Sequence, residues 1–414
     1  MNNNISLNTI QQVAFIVICG WFIVPAFQAS GLARIAVCLA ALVWGVCEYA
    51  RSPDSFQHPP RSTVSLLLFM LLLVSIELLD GGWKTLRVHT FPLISMIIVL
   101  IGIQAQAKKQ RDHRWSIFII LALACFVAIT TVNKLQVDNW AARTVVRNTE
   151  EAGELMAENV GGYVFVYLAS ALCPLLFYVT LRLKSPDSMA LFLRIVAAGM
   201  FIICCVAVWK AGFGLAVVAS IGGCFIIIAP KSRPAFWLFA TFALLLMWSA
   251  NEQIFDNLEI ATEGTPLHQK SIAIKEYLIN SEAVNRINAR QERYTRSIGL
   301  FFESPLIGQA SRRDVGKHST LLDAFAEFGL IGGFLFCFGM FEPIYRLYKR
   351  ASPTQKQCIA ALTFCLIVHM GLNNLTPGTT LVVYMMMPFG LAFVEDPTLR
   401  VNNADDHQFF PPVL

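Results

Sequence analysis

Three arginines, Arg286, Arg290 and Arg293, recur at i, i+4 and i+7, a spacing that sets three guanidinium groups on one face of a helix. Guanidinium is permanently charged and forks onto phosphate or carboxylate oxygens, so such a face suits an anionic group. The surrounding stretch, 251–318, also carries Lys270, Lys275, Arg296, Arg312, Arg313 and Lys317, and it ends at His318. A free imidazole titrates at about 6.5, which lets it take up and release a proton near neutrality. No DxD-type carboxylate pair and no His/Asp metal-ligand spacing accompanies these cations, so the pattern is read as metal-independent and without a cofactor. A plainer reading stands beside it, in which the arginines coat a solvated helical cap and His318 only orients a loop.

These residues are embedded in a chain whose composition is that of a membrane protein. Of its 414 residues 56% are apolar and 14% charged, with a mean hydropathy of +0.58. Soluble domains carry roughly 25% charged residues. The net charge of +5 is spread in short clusters between apolar runs and gives no sign of a nucleic-acid partner. All eleven cysteines fall inside apolar runs and no CxxC occurs, which favours packed thiols over a disulfide framework. The first apolar run lacks a basic region ahead of it and reads as a retained membrane helix rather than a signal peptide.

A membrane helix needs about 20 apolar residues, or about 17 when short. That rule yields about twelve spans, at 10–28, 31–50, 63–80, 91–107, 115–133, 161–182, 189–209, 211–229, 235–250, 320–345, 355–374 and 379–395. The fold class is therefore an all-α polytopic membrane protein. With the N-terminus inside, the inner loops collect Arg51 and Arg61, then Lys108, Lys109, Arg111 and Arg114, then Arg182 and Lys184, then Lys231 and Arg233, and finally Arg346, Lys349, Arg350 and Lys356. Lys84 and Arg87 are a mild exception on the outer side. The chain divides into 1–250, nine spans with a small outer segment at 133–161; 251–318, the large outer loop; and 319–414, three spans and an inner tail. The outer loop reads as mostly helical up to Ser304-Pro305, where a helix should end.

One stretch carries a further pattern: Arg290, then Ser304-Pro305-Leu306-Ile307-Gly308, then His318-Ser319, Leu322, and Glu327-Phe328-Gly329 through Gly332. It resembles the O-antigen ligase and polymerase family of bacterial envelope glycosyltransferases. In that family an arginine on a periplasmic helix precedes an SPxxG break and a histidine at the start of a membrane helix. The match covers about a tenth of the chain, with Ser319 where asparagine is commoner and Gln309-Ala310 in place of a second glycine-rich step. The resemblance implies a GT-C-like enzyme of the bacterial inner membrane, multi-pass, with its active site facing the periplasm. It also implies a donor glycan on undecaprenyl diphosphate and, as acceptor, lipid A-core or a second lipid-linked glycan. The periplasm offers no nucleotide sugars, so the donor must arrive activated. On this reading Arg290 neutralises the diphosphate, assisted by Arg293 or Lys210, and His318 is the general base. Lys210 stands where the family usually has an arginine; as a point charge it would bind phosphate with different geometry, or it simply snorkels to headgroups.

The remaining polar residues leave alternatives open. Asp323 and Glu327 follow His318 at i+5 and i+9 and could approach it only if His318 precedes the helix; they share a face with each other, which favours pairing with basic residues. Arg143 and Arg147, at i and i+4, could hold a donor or acceptor phosphate or pair with Glu150 and Glu151. Glu77 and Asp80 could pair with Lys84 or Arg87, and His369, Asn373 and Asn374 are read as interhelical hydrogen-bonders. Three functions fit: a ligase joining polysaccharide to lipid A-core, a polymerase joining lipid-linked repeats, and a transporter or lipid flippase. No repeat symmetry supports the transporter.

Overall fold

The computed structural model describes residues 6–51, 53, 57–81, 90–106, 114–147, 149–183, 188–229, 251–279, 285–310, 315–316 and 318–394. Among these there are helices and connecting turns but no strand. In chain order the helices are α1 Leu7–Ile23, α2 Pro25–Ala29, α3 Gly31–Arg51, α4 Arg61–Gly81, α5 Thr90–Gln106, α6 Arg114–Val137, α7 Ala141–Thr144, α8 Glu150–Ala157 and α9 Tyr163–Arg182. They continue with α10 Ser188–Ala211, α11 Gly214–Ile228, α12 Asn251–Thr262, α13 His268–Ile279, α14 Asn285–Glu303, α15 Thr320–Arg350 and α16 Pro353–Leu372. The last is α17 Pro377–Leu381, prolonged by a π-helical turn at Val382–Met386 and by α18 Met387–Val394.

Among the described residues seven helices are long and apolar enough to cross a membrane, and three shorter apolar helices accompany them. The protein is thus an all-α membrane protein. α9 is apolar all round and lies at the centre, packed on α10, α11, α16 and α17. α3 lies at the periphery; its Leu32, Ile35, Leu39, Leu42 and Val46 form an exposed stripe of the kind that faces lipid. The cysteines are free thiols, most of them buried in this packing.

Two expected spans differ in detail. The run 10–28 is broken, because α1 ends at Ile23, Val24 is extended and Pro25 begins α2. A residue before proline is driven out of the α region, which accounts for the break. The run 379–395 starts two residues earlier, at Pro377 behind the N-cap Thr376, and its π turn carries Tyr384, whose hydroxyl donates to the Met340 carbonyl at 2.5 Å. The expected span 235–250 lies outside the described residues.

α15 has an interruption that organises everything above it. Gly329 sits at φ 63° and ψ −163°, a conformation open essentially to glycine alone. The break frees backbone groups, and the 305–310 segment takes them up. Gln309 N–H donates to the Ala326 carbonyl at 3.0 Å and Ala310 N–H to Glu327 at 2.9 Å. In the other direction Leu330 N–H donates to Pro305 at 2.7 Å and Ile331 N–H to Leu306 at 3.3 Å. Gly308, also at positive φ (70°), crosses Gly329 backbone to backbone. A Cβ on either glycine would overlap the other segment's main chain, which has no flexible side chain to move aside.

Gly329→Ala is therefore expected to destabilise the protein by at least about 2 kcal/mol, since backbone strain of this kind alone is of order 1–3 kcal/mol. Gly199→Ala, in mid-helix with nothing within 4 Å of the added carbon, should be neutral or slightly stabilising. Thermal unfolding of both variants in detergent compares them. Equal melting temperatures would mean that the crossing is not tight.

Candidate functional site

α14 is strongly amphipathic, and its buried contact with the membrane helices runs through Ser297 and Tyr294. The Tyr294 hydroxyl donates to the Leu372 carbonyl at 2.7 Å, docking α14 on the end of α16. The Ser297 hydroxyl donates to Asp323 Oδ1 at 2.7 Å and accepts the Gly316 N–H at 2.9 Å. Gly316 passes so close to the Arg293 carbonyl that a Cβ would collide with it. The chain leading to His318 is thereby laid against α14 at Arg293.

On its other side His318 is followed by Ser319, the N-cap of α15, whose hydroxyl accepts from Leu322 N–H. Asp323 stands in the first turn, where a carboxylate meets the positive end of the helix dipole, and its Oδ2 accepts the Ser319 N–H at 3.4 Å. Thr320 N–H donates to the Asn373 carbonyl at 3.2 Å, and Asn373 Nδ2 donates to the Tyr167 hydroxyl at 2.7 Å. Backbone and small side chains thus anchor both flanks of His318.

His318 lies in the loop ahead of the helix, half-buried. Its pKa is pushed below the ordinary 6.5, first by loss of solvent and then by the charges of Arg293 and Arg290. Both arginines are exposed on α14. Arg290 also acts electrostatically on Tyr163, Tyr167 and Tyr294. The Tyr163 and Tyr167 rings lie 4.6 Å apart at the start of α9, each edge-on to Phe213 at 5.9 and 6.2 Å. Arg290 and Arg293 thus act on one imidazole, and Arg290 also on the paired tyrosines. Together these groups can hold an anion and accept a proton beside it.

Other expected residues fall in distinct places. Asp323 is joined to Ser297 and Ser319, on the two sides of the chain that leads through His318 into α15. Glu327 is buried at the α15 break, away from solvent, and its carbonyl serves the 305–310 crossing. Arg143 reaches the end of α10. Its guanidinium donates to the carbonyls of Ala211 and Gly212 and lies 5.3 Å from the centres of the Trp140 and Phe213 rings. A helix C-terminus attracts cations, and Lys270 Nζ reaches the same Gly212 carbonyl at 3.2 Å. Arg147 is exposed beyond α7.

Lys210 occupies the last turn of α10, three residues before Phe213. His369 is buried, with Nδ1 2.7 Å from Thr379 Oγ1 and Nε2 3.2 Å from Ser170 Oγ, the interhelical bonding expected of it. Glu77 is buried, while the side chains of Asp80, Lys84, Arg87, Arg286, Arg312, Arg313 and Lys317 lie outside the described residues.

Tyr163, Tyr167 and Ser297 were not singled out in the sequence. The i, i+4 tyrosines directly after Gly161-Gly162 were the available signal. Comparison with protein families and with curated proteins finds no match for this chain.

The lowered His318 pKa makes a prediction of definite sign. If the neutral imidazole is the working form, activity rises with pH through a value below 6.5 and is level by neutrality. Arg293→Gln removes a cation that disfavours protonation, so the inflection in kcat/KM should move upward. An unchanged inflection would separate Arg293 from His318. For stability, a histidine whose folded pKa is depressed contributes fully above its unfolded pKa and loses that contribution as pH falls through the folded one.

Proposed function

We propose that this chain is a glycosyltransferase of the bacterial inner membrane that moves a glycan from an undecaprenyl-diphosphate carrier to an acceptor at the periplasmic face. On this reading the chain has about twelve spans, the 251–318 loop is periplasmic, and the preferred acceptor is lipid A-core, which makes the enzyme an O-antigen ligase. The observation that carries the reading is the convergence of Arg290, Arg293 and His318, brought together from two segments by the Ser297–Asp323–Gly316 network.

The chemistry follows from the groups present. Arg290 and Arg293 hold the diphosphate and offset the charge that grows on it as the anomeric C–O bond breaks. An acceptor hydroxyl attacks the anomeric carbon from the opposite side, its proton passes to His318, and undecaprenyl diphosphate leaves, inverting the centre. Donor binding also tunes the base. A bound diphosphate offsets the part of the His318 shift that comes from the two guanidinium charges, while the larger part, from lost solvent, stays.

A polymerase would use the same donor and site with a lipid-linked repeat as acceptor. A deletion strain on a lipopolysaccharide gel separates the readings. Loss of a ligase leaves core without O-chain and polymer still on its lipid carrier; loss of a polymerase leaves core bearing a single repeat. A strain with unchanged lipopolysaccharide and glycolipid pools would contradict both.

A further inference from the structure

The 302–307 segment shows three large apolar side chains to the outside: Phe302, Leu306 and Ile307 are 71%, 65% and 68% exposed. They do not hang from a slack loop. Gly308 N–H closes a turn on the Ser304 carbonyl at 2.9 Å, and Gln309 Nε2 ties back to Leu300 O at 3.1 Å and Glu303 Oε2 at 3.3 Å. The hydrogen bonds from Leu330 to Pro305 and from Ile331 to Leu306 set this segment beside α15. The α15 residues at that level, Leu330, Ile331 and Phe334, are themselves 52%, 58% and 61% exposed. Exposed apolar side chains thus stand on the outward face of a membrane helix and on the segment bonded beside it.

The length of α15 fixes the level of this surface. The helix has 31 residues, about 46 Å at 1.5 Å per residue, against a hydrocarbon core of about 30 Å. It is too long to be immersed throughout. Beyond the Gly329 break the stretch that precedes Arg346, residues 330–345, measures about 24 Å, so this part of the helix fits within one core. The helix finishes at Lys349 and Arg350, with exposed Tyr345 and Tyr348 just before, the residue types that mark a membrane boundary. With that end at one boundary, Leu330 and the segment beside it lie within the hydrocarbon, a few ångströms short of the other. Arg290 and Arg293, on the polar side of the same α14, then stand above the acyl chains, at or beyond the level of lipid phosphates.

We propose that Phe302, Leu306 and Ile307 are immersed in the bilayer at the boundary of acyl chains and headgroups, and that this anchor sets the height of α14 above the membrane. The occupant of the patch is lipid. This inference needs only the membrane character of the protein and holds whether or not the chain transfers glycans.

The test uses the full chain in vesicles of phosphatidylethanolamine and phosphatidylglycerol, with a nitroxide label on Ile307→Cys or Leu306→Cys. Phe334→Cys on the outward face of α15 and Thr295→Cys on the exposed face of α14 are the references, and unsubstituted protein is carried through labelling as background. Collisions with oxygen, which concentrates in lipid, are compared with collisions with a water-soluble nickel chelate. The oxygen-to-nickel ratio at 307 and 306 should match that at 334 and exceed that at 295 several-fold. A ratio equal to that at 295 overturns the proposal. Label–label broadening at 307 in vesicles, lost in discs holding one chain, would also overturn it by giving the patch to a second copy. The Leu306→Ser/Ile307→Ser variant should keep its melting temperature while a label on Phe302→Cys shifts to the aqueous ratio; a lipid-like ratio there would mean that the two residues do not hold the anchor.

Discussion

His318→Ala should lower glycan transfer by about 10²–10⁴-fold, the usual contribution of a positioned general base, with the protein still folded in the membrane. The second half of that expectation follows from how the residue is held. The loop is fixed by main-chain bonds at Gly316 and Ser319 and by the Asp323 carboxylate, none of which uses the imidazole. His318 is only half-buried, so its removal leaves no sizeable cavity. Melting temperature and membrane yield should therefore match the parent while product formation collapses. Transfer within a few-fold of the parent would remove His318 from the chemistry. Asp323→Asn offers a useful contrast. It keeps the imidazole but weakens the charge-assisted bonds to Ser297 and Ser319, so it should lower both stability and rate.

Arg290→Ala should cost about 3–4 kcal/mol of transition-state stabilisation, or roughly 10²–10³-fold in rate, as does loss of one fixed donor to a developing anion. Arg290 is exposed, stands on an amphipathic helix and has no ion-pair partner among the described residues, so little folding energy is at stake. Arg290→Lys should recover part of the loss, because it restores the charge without the planar fork. The same reasoning predicts that EDTA leaves transfer by the parent protein unchanged, since side chains supply the positive charge in the proposed scheme. Strong inhibition by EDTA, reversed by Mg²⁺ or Mn²⁺, would contradict this scheme.

The membrane helices were legible because lipid-facing segments must be apolar, and seven of the twelve expected runs coincide with described helices long and apolar enough to cross a membrane. The error at Val24-Pro25 arose because hydropathy averaging ignores proline, although the residue before proline was itself a readable stop. The arginine helix, its end at Ser304-Pro305 and the start of α15 were also legible from periodicity and breakers. What the linear pattern could not convey is tertiary. Gly308 and Gly329 each announce an unusual backbone, yet nothing local says that they face one another. Tyr163 and Tyr167 escaped notice for a similar reason. Tyrosine near the end of a membrane helix has an ordinary place in the aromatic belt, and only the fold brings it within electrostatic reach of Arg290.

The most direct measurement is transfer by the purified protein in lipid vesicles, supplied with a glycan on undecaprenyl diphosphate and, separately, with lipid A-core or a second lipid-linked glycan. Release of undecaprenyl diphosphate matched by glycan on one acceptor, and lost in both His318→Ala and Arg290→Ala, is the expected result. A folded parent protein that consumes no donor with either acceptor, or variants that consume it as fast as the parent, would contradict it.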